Sequence, residues 1–500
     1  MIEDESALLR WAQEQRRFCA MAMLRAVSAT NLVKHRPALR QTIRPARGSI
    51  VASPEMAAYD PKPDYFFHWL RDSAIAVDAL REAVEDGTLE PSAVGHLVDF
   101  VDFSLKLCRL DGPSFLRQGG YPESVEPSFL QHLRSRAEIA EIIGDRALSE
   151  TRYNADGSLD VLKWGRPQDD GPALRALAVM RFFAIDAFRA RADAAAEALL
   201  RYDLDYTVAH WRRPCCDLWE ECIGFHYHTR LVQQAALAAG AKFLIAAGES
   251  MRATTCAEAA RALLAELDLH FDAEDGVYHG RLKAADQGPD APPPRRLDMA
   301  VILAAVQAGR REGPHSVVDP KMLATLTALE RLFEDYPINR TRPRDCAPAL
   351  GRYAGDSYFS GGAYYFSTLG AAQFFFVLAQ AAAEGEEIRV TEENRAPLAE
   401  LLGTPAQSLH EGALTGELRQ RLAAAALRRG DMYLAMVRRH TPASREMSEQ
   451  FSQYDGSPAS ADNLTWSYAS FITAHTARRR AVGLARTGIR ATPTAPECES

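Results

Sequence analysis

Cysteine is scarce and irregular: the eight residues stand at 19, 108, 215, 216, 222, 256, 346 and 498, with no CxxC pair among them. That spacing excludes a disulfide framework or a zinc site built from paired thiols, so reduced cysteines and a cytoplasmic location are expected. Positive charge is in deficit, with a formal net charge of −8. A partner that must be wrapped along a phosphate backbone is thereby excluded, because such binding needs clustered Lys and Arg to displace counterions; no nucleic acid is expected. No stretch approaches the roughly 18 consecutive apolar residues of a membrane span, and the opening MIEDESALLRWAQEQRRF is acidic and amphipathic, unlike a secretion signal. The chain lacks GxxxxGK[ST], HExxH, GxSxG and GxGxxG, which removes phosphate-loop, zinc-helix, serine-nucleophile and dinucleotide chemistry. His226 and His228 alternate without a third ligand nearby in sequence; neither metal nor cofactor is expected.

What is present is enough for a large core: 47% of residues are hydrophobic and 25% charged. Helical spacing and good helix formers occupy 8–27, 73–84, 173–200, 231–247, 251–269, 322–333, 368–383 and 418–438, whereas strand-like alternation is scarce. Ala-rich stretches such as RARADAAAEALL and QAALAAGAKFLIAAG suit closely approaching helix axes. Between these segments lie loops rich in aromatic, Gly and acidic residues, at 59–72, 111–129, 152–172, 214–229, 336–366 and 440–465. Six such loops among about a dozen helices predict a closed all-α ring with one decorated face. One domain over 1–478 is expected, followed by a frayed tail at 479–500, and 288–298 (GPDAPPPRRLD) reads as extended or polyproline II.

The chemistry-bearing residues are carboxylates among aromatics. DYFFHWLRD (64–72), DLWEECIGFHY (217–227), RYAGDSYFSGGAYYF (352–366) and SEQFSQYDGSPASADNLTW (448–466) share this composition, and four such segments suggest one pocket. Glycosidic hydrolysis needs one carboxylic acid to protonate the leaving oxygen and a second carboxylate to activate water or attack the sugar. Aromatic faces suit the C–H surface of a sugar ring, and charged groups its hydroxyls. Plainer readings stand beside this one: Trp69, Trp219 and Trp466 also fit a core, Asp217 also fits a residue that orders its own loop, and Glu221 also fits a solvated neighbour of Glu220.

These segments, with WGRPQDDGPALRA (164–176) and GSIVASP (48–54), resemble glycoside hydrolase family 15, the glucoamylases, in order and from the first helix to about residue 478. The resemblance implies an (α/α)6 barrel and an exo-acting, inverting α-glucoside hydrolase that releases β-D-glucose from the non-reducing ends of α-1,4-linked oligo- or polysaccharides. It makes Glu220 the general acid and Glu449 the general base, with their carboxyls about 6.5–9.5 Å apart. A protonated Glu220 calls for burial, with Trp219 as its low-polarity neighbour. Arg71 and Asp72 match the pair that grips the terminal glucose. Glu221 matches the residue that binds the leaving-group sugar, Arg352 an arginine on sugar hydroxyls, and Asp356 its structural companion. Tyr65, Trp69, Trp219 and Trp466 match the aromatic wall, and Asp217, in the same DLWEE motif, is expected to bind substrate with them.

Two departures bear on substrate. Where glucoamylases carry Gly-Asn-Pro-Trp, this chain has Gly361-Gly362-Ala363-Tyr364, and the 111–129 loop does not follow the fungal pattern. Both bear on the leaving-group side, so trehalase or α-1,6 activity on the same scaffold stays open. A silent glucan-sensing domain is the alternative of another class, although such a domain has no need of both carboxylates together with Arg71, Asp72 and Arg352. No starch-binding module is expected.

Overall fold

The computed structural model describes residues 5–59, 61–282, 295–360 and 362–490. Among these, twelve helices form two concentric rings. They are α1 (Glu5–Leu24), α2 (Leu70–Glu85), α3 (Val94–Leu107), α4 (Gly171–Phe182), α5 (Asp186–His210), α6 (Tyr227–Ala246), α7 (Ser250–Leu267), α8 (Ala300–Ala308), α9 (Pro320–Phe333), α10 (Tyr365–Glu384), α11 (Gly416–His440) and α12 (Thr465–Arg490). The even-numbered helices contact one another in the closed order α2, α4, α6, α8, α10, α12 and back to α2. The odd-numbered helices surround them, α5 on α4, α7 on α6 and α11 on α10. This is the (α/α)6 barrel.

Position in the rings explains composition. Helix α10 is long and apolar enough to cross a membrane, yet it is mostly buried because both rings enclose it; it stops at Gly385, which takes φ 91°. Close approach of α11 to α10 depends on Gly430, where an added Cβ would stand 2.3 Å from Phe376. Gly430→Val is expected to lower stability by about 1–3 kcal/mol through overpacking, measured as a shift of the urea midpoint. Inner and outer rings are also tied by a buried ion pair, Arg175 to Asp203, at 2.6 and 3.0 Å.

The 173–200 segment, expected as one helix, is two. The chain turns between Phe182 and Asp186, where Phe182 and Phe188 meet edge to face at 5.2 Å, so that one half joins the inner ring and the other the outer. Helices α3, α8 and α12 were not read from spacing; α8 is short, and α12 begins inside a segment read as loop. Helix α12 also continues to Arg490 rather than fraying after 478. Residues 491–500, and 288–294 of the expected extended segment, lie outside the described residues.

All inner helices begin at the same face, and short strands deliver the chain into three of them. Phe67–Trp69 leads into α2 and pairs with Arg152–Asn154. Ile223–His226 leads into α6 and pairs with Cys215–Cys216 and Arg281–Leu282. Ala363–Tyr364 leads into α10 and pairs with Gln450–Phe451. The decorated loops are thus pinned by backbone ladders over the N-terminal ends of the inner ring.

Candidate active site

The turn 217–222 joins Cys215–Cys216 to Ile223–His226, and Asp217 holds it shut. Its Oδ1 accepts the backbone N–H of Glu221 at 2.7 Å and of Cys222 at 3.1 Å, and its carbonyl accepts the N–H of Glu220 at 2.9 Å. Glu220 is thereby kept at φ 66°, a left-handed conformation that costs a non-glycine residue about 1–3 kcal/mol. The reversal sends two adjacent carboxylates in different directions.

Glu220 receives three N–H donors: the Trp69 indole at 2.7 Å and Arg71 Nη2 at 2.9 Å on Oε1, and the Trp164 indole on Oε2. Glu221 instead accepts from Arg352 at 2.9 Å on Oε1, and from Arg295 at 3.0 Å and the Tyr353 hydroxyl on Oε2. The neighbour expected of Glu220 is therefore corrected. Trp219 turns its indole N–H to Asp298, at 3.0 and 3.1 Å, and its ring packs on Phe366. The groups against Glu220 are Trp69, Trp164 and Arg71, and they meet it through N–H donors rather than as a bare apolar wall.

Glu449 comes from the loop entering Gln450–Phe451, far away in the chain. The Ser460 hydroxyl donates to its Oε2, and the Tyr65 hydroxyl lies 3.4–3.5 Å from both oxygens and 2.8 Å from the Tyr358 hydroxyl. Burial, then the negative charge of Glu449, pushes the Tyr65 hydroxyl well above its ordinary value. Glu220 and Glu449 line the same cavity, of about 250 Å³, along with Tyr65, Trp69, Arg71, Asp72, Trp219, Glu221, Arg352 and Trp466. Ten of the twelve residues singled out in the sequence therefore converge. Asp217 and Asp356 do not line it: the first spends its carboxylate on the turn and on Arg295 at 3.1 Å, and the second binds Arg352 Nε at 2.7 Å and the backbone of Tyr358. Asp356 thus has the companion role, and direct sugar contact by Asp217 is corrected to loop support.

Helix starts supply the electrostatics. Asp72 lies in the first turn of α2, and burial pushes its carboxyl up to about 6 against the pull of Arg71. Arg71 reaches Asp170, just before α4, at 3.3 Å. Burial likewise pushes the Glu449 carboxyl up to about 7, outweighing the Ser460 hydrogen bond and the Arg352 charge. The native value lies above the unfolded value of about 4.3. The stability Glu449 contributes in its neutral form is thus fully present below about pH 4 and lost as pH rises through 7. Glu449→Gln is expected to gain on the wild type between pH 4 and pH 8 by about 3 kcal/mol, read from urea midpoints at the two pH values.

Sequence reasoning missed Trp164, Tyr358, Ser460 and Arg295. Trp164 opens a motif already singled out and Tyr358 lies within the 352–366 segment, so both carried a signal. Arg295 carried none, being a loop arginine whose partners Asp217 and Glu221 lie far away in the chain, and Ser460, although inside the 448–466 segment with Glu449, is one of several serines there.

A double helical ring with two carboxylates presented by separate loops to one aromatic cavity defines a hydrolase of glycosidic bonds. Residues 134–476 match the family model "Glycosyl hydrolases family 15", and the chain belongs to that family. It is 29% identical over 448 residues to Glucoamylase-1 of Schizophyllum commune, covering 87% of this chain and 70% of the relative. It is 26% identical over 510 residues to the intracellular sporulation-specific glucoamylase of Saccharomyces cerevisiae, covering 95% and 85%. The solved glucoamylase of Saccharomycopsis fibuligera superposes with a TM-score of 0.77 at 22% identity, over 95% of this chain and 96% of that one, which shows the shared fold.

Proposed function

We propose that this glycosidase is an exo-acting, inverting α-glucoside hydrolase that releases β-D-glucose from the non-reducing ends of α-1,4-linked oligo- or polysaccharides. The observation that carries the reading is that Glu220 and Glu449 line one small cavity whose remaining wall is mostly aromatic rings and charged side chains. A cavity of about 250 Å³ suits one sugar ring, which fits removal of single residues from a chain end.

In this reading Glu220 protonates the glycosidic oxygen, and Trp69, Trp164 and Arg71 receive the anion that proton transfer leaves behind. Glu449 takes a proton from water attacking the opposite face of the ring. Tyr65 steadies Glu449 and offers its electron-rich face to the positive charge developing on the sugar. Arg71 and Asp72 hold hydroxyls of the terminal glucose, and Arg352 and Glu221 those of the leaving group. The names of the fungal relatives support glucan as the substrate class. A cytoplasmic location is part of the proposal; it is supported by the seven free thiols among the described residues and by the intracellular yeast relative.

Proton NMR of fresh digests of maltose, isomaltose and trehalose tests linkage and stereochemistry together. Fastest turnover of maltose, with β-glucose appearing before mutarotation, is expected. Initial α-glucose would exclude the roles of Glu220 and Glu449, and faster turnover of isomaltose or trehalose would move the substrate assignment.

A further inference from the structure

The inner ring is not filled to its axis. Ile75 on α2, Val306 on α8, Gln373 and Val377 on α10 and Thr473 on α12 remain partly exposed although helices surround them. They line an axial cavity of about 350 Å³, larger than the catalytic one of about 250 Å³. The two are back to back: Phe366 and Trp466, stacked at 4.3 Å with an interplanar angle of 10°, border both.

The axial cavity runs toward the C-terminal ends of the inner helices, where its charges cancel. Arg81 pairs with Asp78 at 2.7 Å and with Glu85 at 2.5 Å, Arg181 pairs with Asp78, Arg480 lies 3.5 Å from Glu82, and Arg311 pairs with Glu384. An ionic ligand would find every charge already paired. Hydrogen-bonding capacity is nevertheless left over, and in a regular way. Gln307 meets His228 Nε2 through its Oε1 at 2.8 Å, Gln373 accepts the Thr473 hydroxyl at 2.9 Å, and Gln380 donates to the Ala477 carbonyl at 2.7 Å. Each glutamine anchors one end of its amide, and the other end has no protein partner among the described residues. Three pre-oriented amides facing a void with aromatic and aliphatic walls suit a ligand that carries several hydroxyls around an apolar C–H surface.

We propose that the axial cavity is a second, non-catalytic binding site for a neutral polyhydroxylated ring of hexose size. The ligand class follows from the lining alone and does not depend on which glucoside the catalytic pocket cleaves. D-Glucose is the probe. Equilibrium dialysis of the intact protein is expected to show, beyond any D-glucose held in the catalytic pocket, one further equivalent that Val377→Phe removes by filling the void, with kcat/KM on maltose unchanged. Gln373→Leu deletes one of the amides and is expected to weaken the same equivalent about tenfold. It serves where the larger side chain disturbs folding. An axial equivalent that is missing from the wild type, or one that survives both substitutions in folded protein, overturns the proposal.

Discussion

Glu220→Gln is expected to lower kcat on maltose by about 10²–10⁴-fold, the range typical of a positioned proton donor, while α-D-glucosyl fluoride is hydrolysed within about tenfold of the wild-type rate. The contrast isolates the role. A sugar leaves as an alkoxide unless it is protonated, whereas fluoride departs without a proton. Glutamine preserves the shape of the side chain and the acceptor for Trp69 and Arg71, at 2.7 and 2.9 Å, so the turn that holds position 220 at φ 66° is retained. Steady-state rates on the two substrates decide it: an equal loss on both would show that Glu220 shapes the pocket and does not supply the proton.

The sequence made the site more legible than the scaffold. Aromatic, acidic and arginine residues packed into four short segments are costly to bury for packing alone, so their recurrence pointed to a shared cavity, and ten of the twelve named residues line it. What was not legible is which partner each polar group takes. DLWEE places Glu220 and Glu221 side by side, and only the left-handed conformation at Glu220, fixed by Asp217, shows that they turn to different partners. Likewise Trp219 adjoins Glu220 in sequence, but its indole answers to Asp298.

On the scaffold, spacing found most of the long helices but missed α3, α8 and the 26-residue α12, which begins at the end of a decorated loop. Helix α8 is nine residues, almost wholly apolar and mostly buried, so it presents no polar face for periodicity to detect. The break between α4 and α5 contains neither Gly nor Pro; packing of Phe188 against Phe182 and Phe183 specifies it, and such tertiary choices leave little trace in helix propensity.

The departure at 361–364 also takes a physical form. Gly362 sits where an added Cβ would lie 2.4 Å from Gln450 Oε1, beside the residue that follows Glu449, and Tyr364 is wholly buried, with its hydroxyl accepting from Gln450 Nε2 at 2.8 Å. These residues brace the strand Gln450–Phe451 that follows Glu449. Arg352, Arg295 and Tyr353 instead surround Glu221.

Glu449→Gln is expected to reduce turnover of maltose and of α-D-glucosyl fluoride alike, by about 10²–10⁴-fold, because water must be activated whatever group departs. This parallel loss is the counterpart of the split expected for Glu220. The pH profile adds a second readout. A base works only as the carboxylate, and burial holds the Glu449 carboxyl at about 7, so kcat/KM of the wild type is expected to fall as pH drops through that value, the proton blocking attack. The Ser460 hydroxyl donates to Glu449 Oε2 and favours the charged form. Ser460→Ala removes that donor and is expected to move the acid limb to higher pH, with little change in the plateau rate above it. A limb that stays in place, or moves to lower pH, would show that Glu449 does not set the ionisation on which the rate depends.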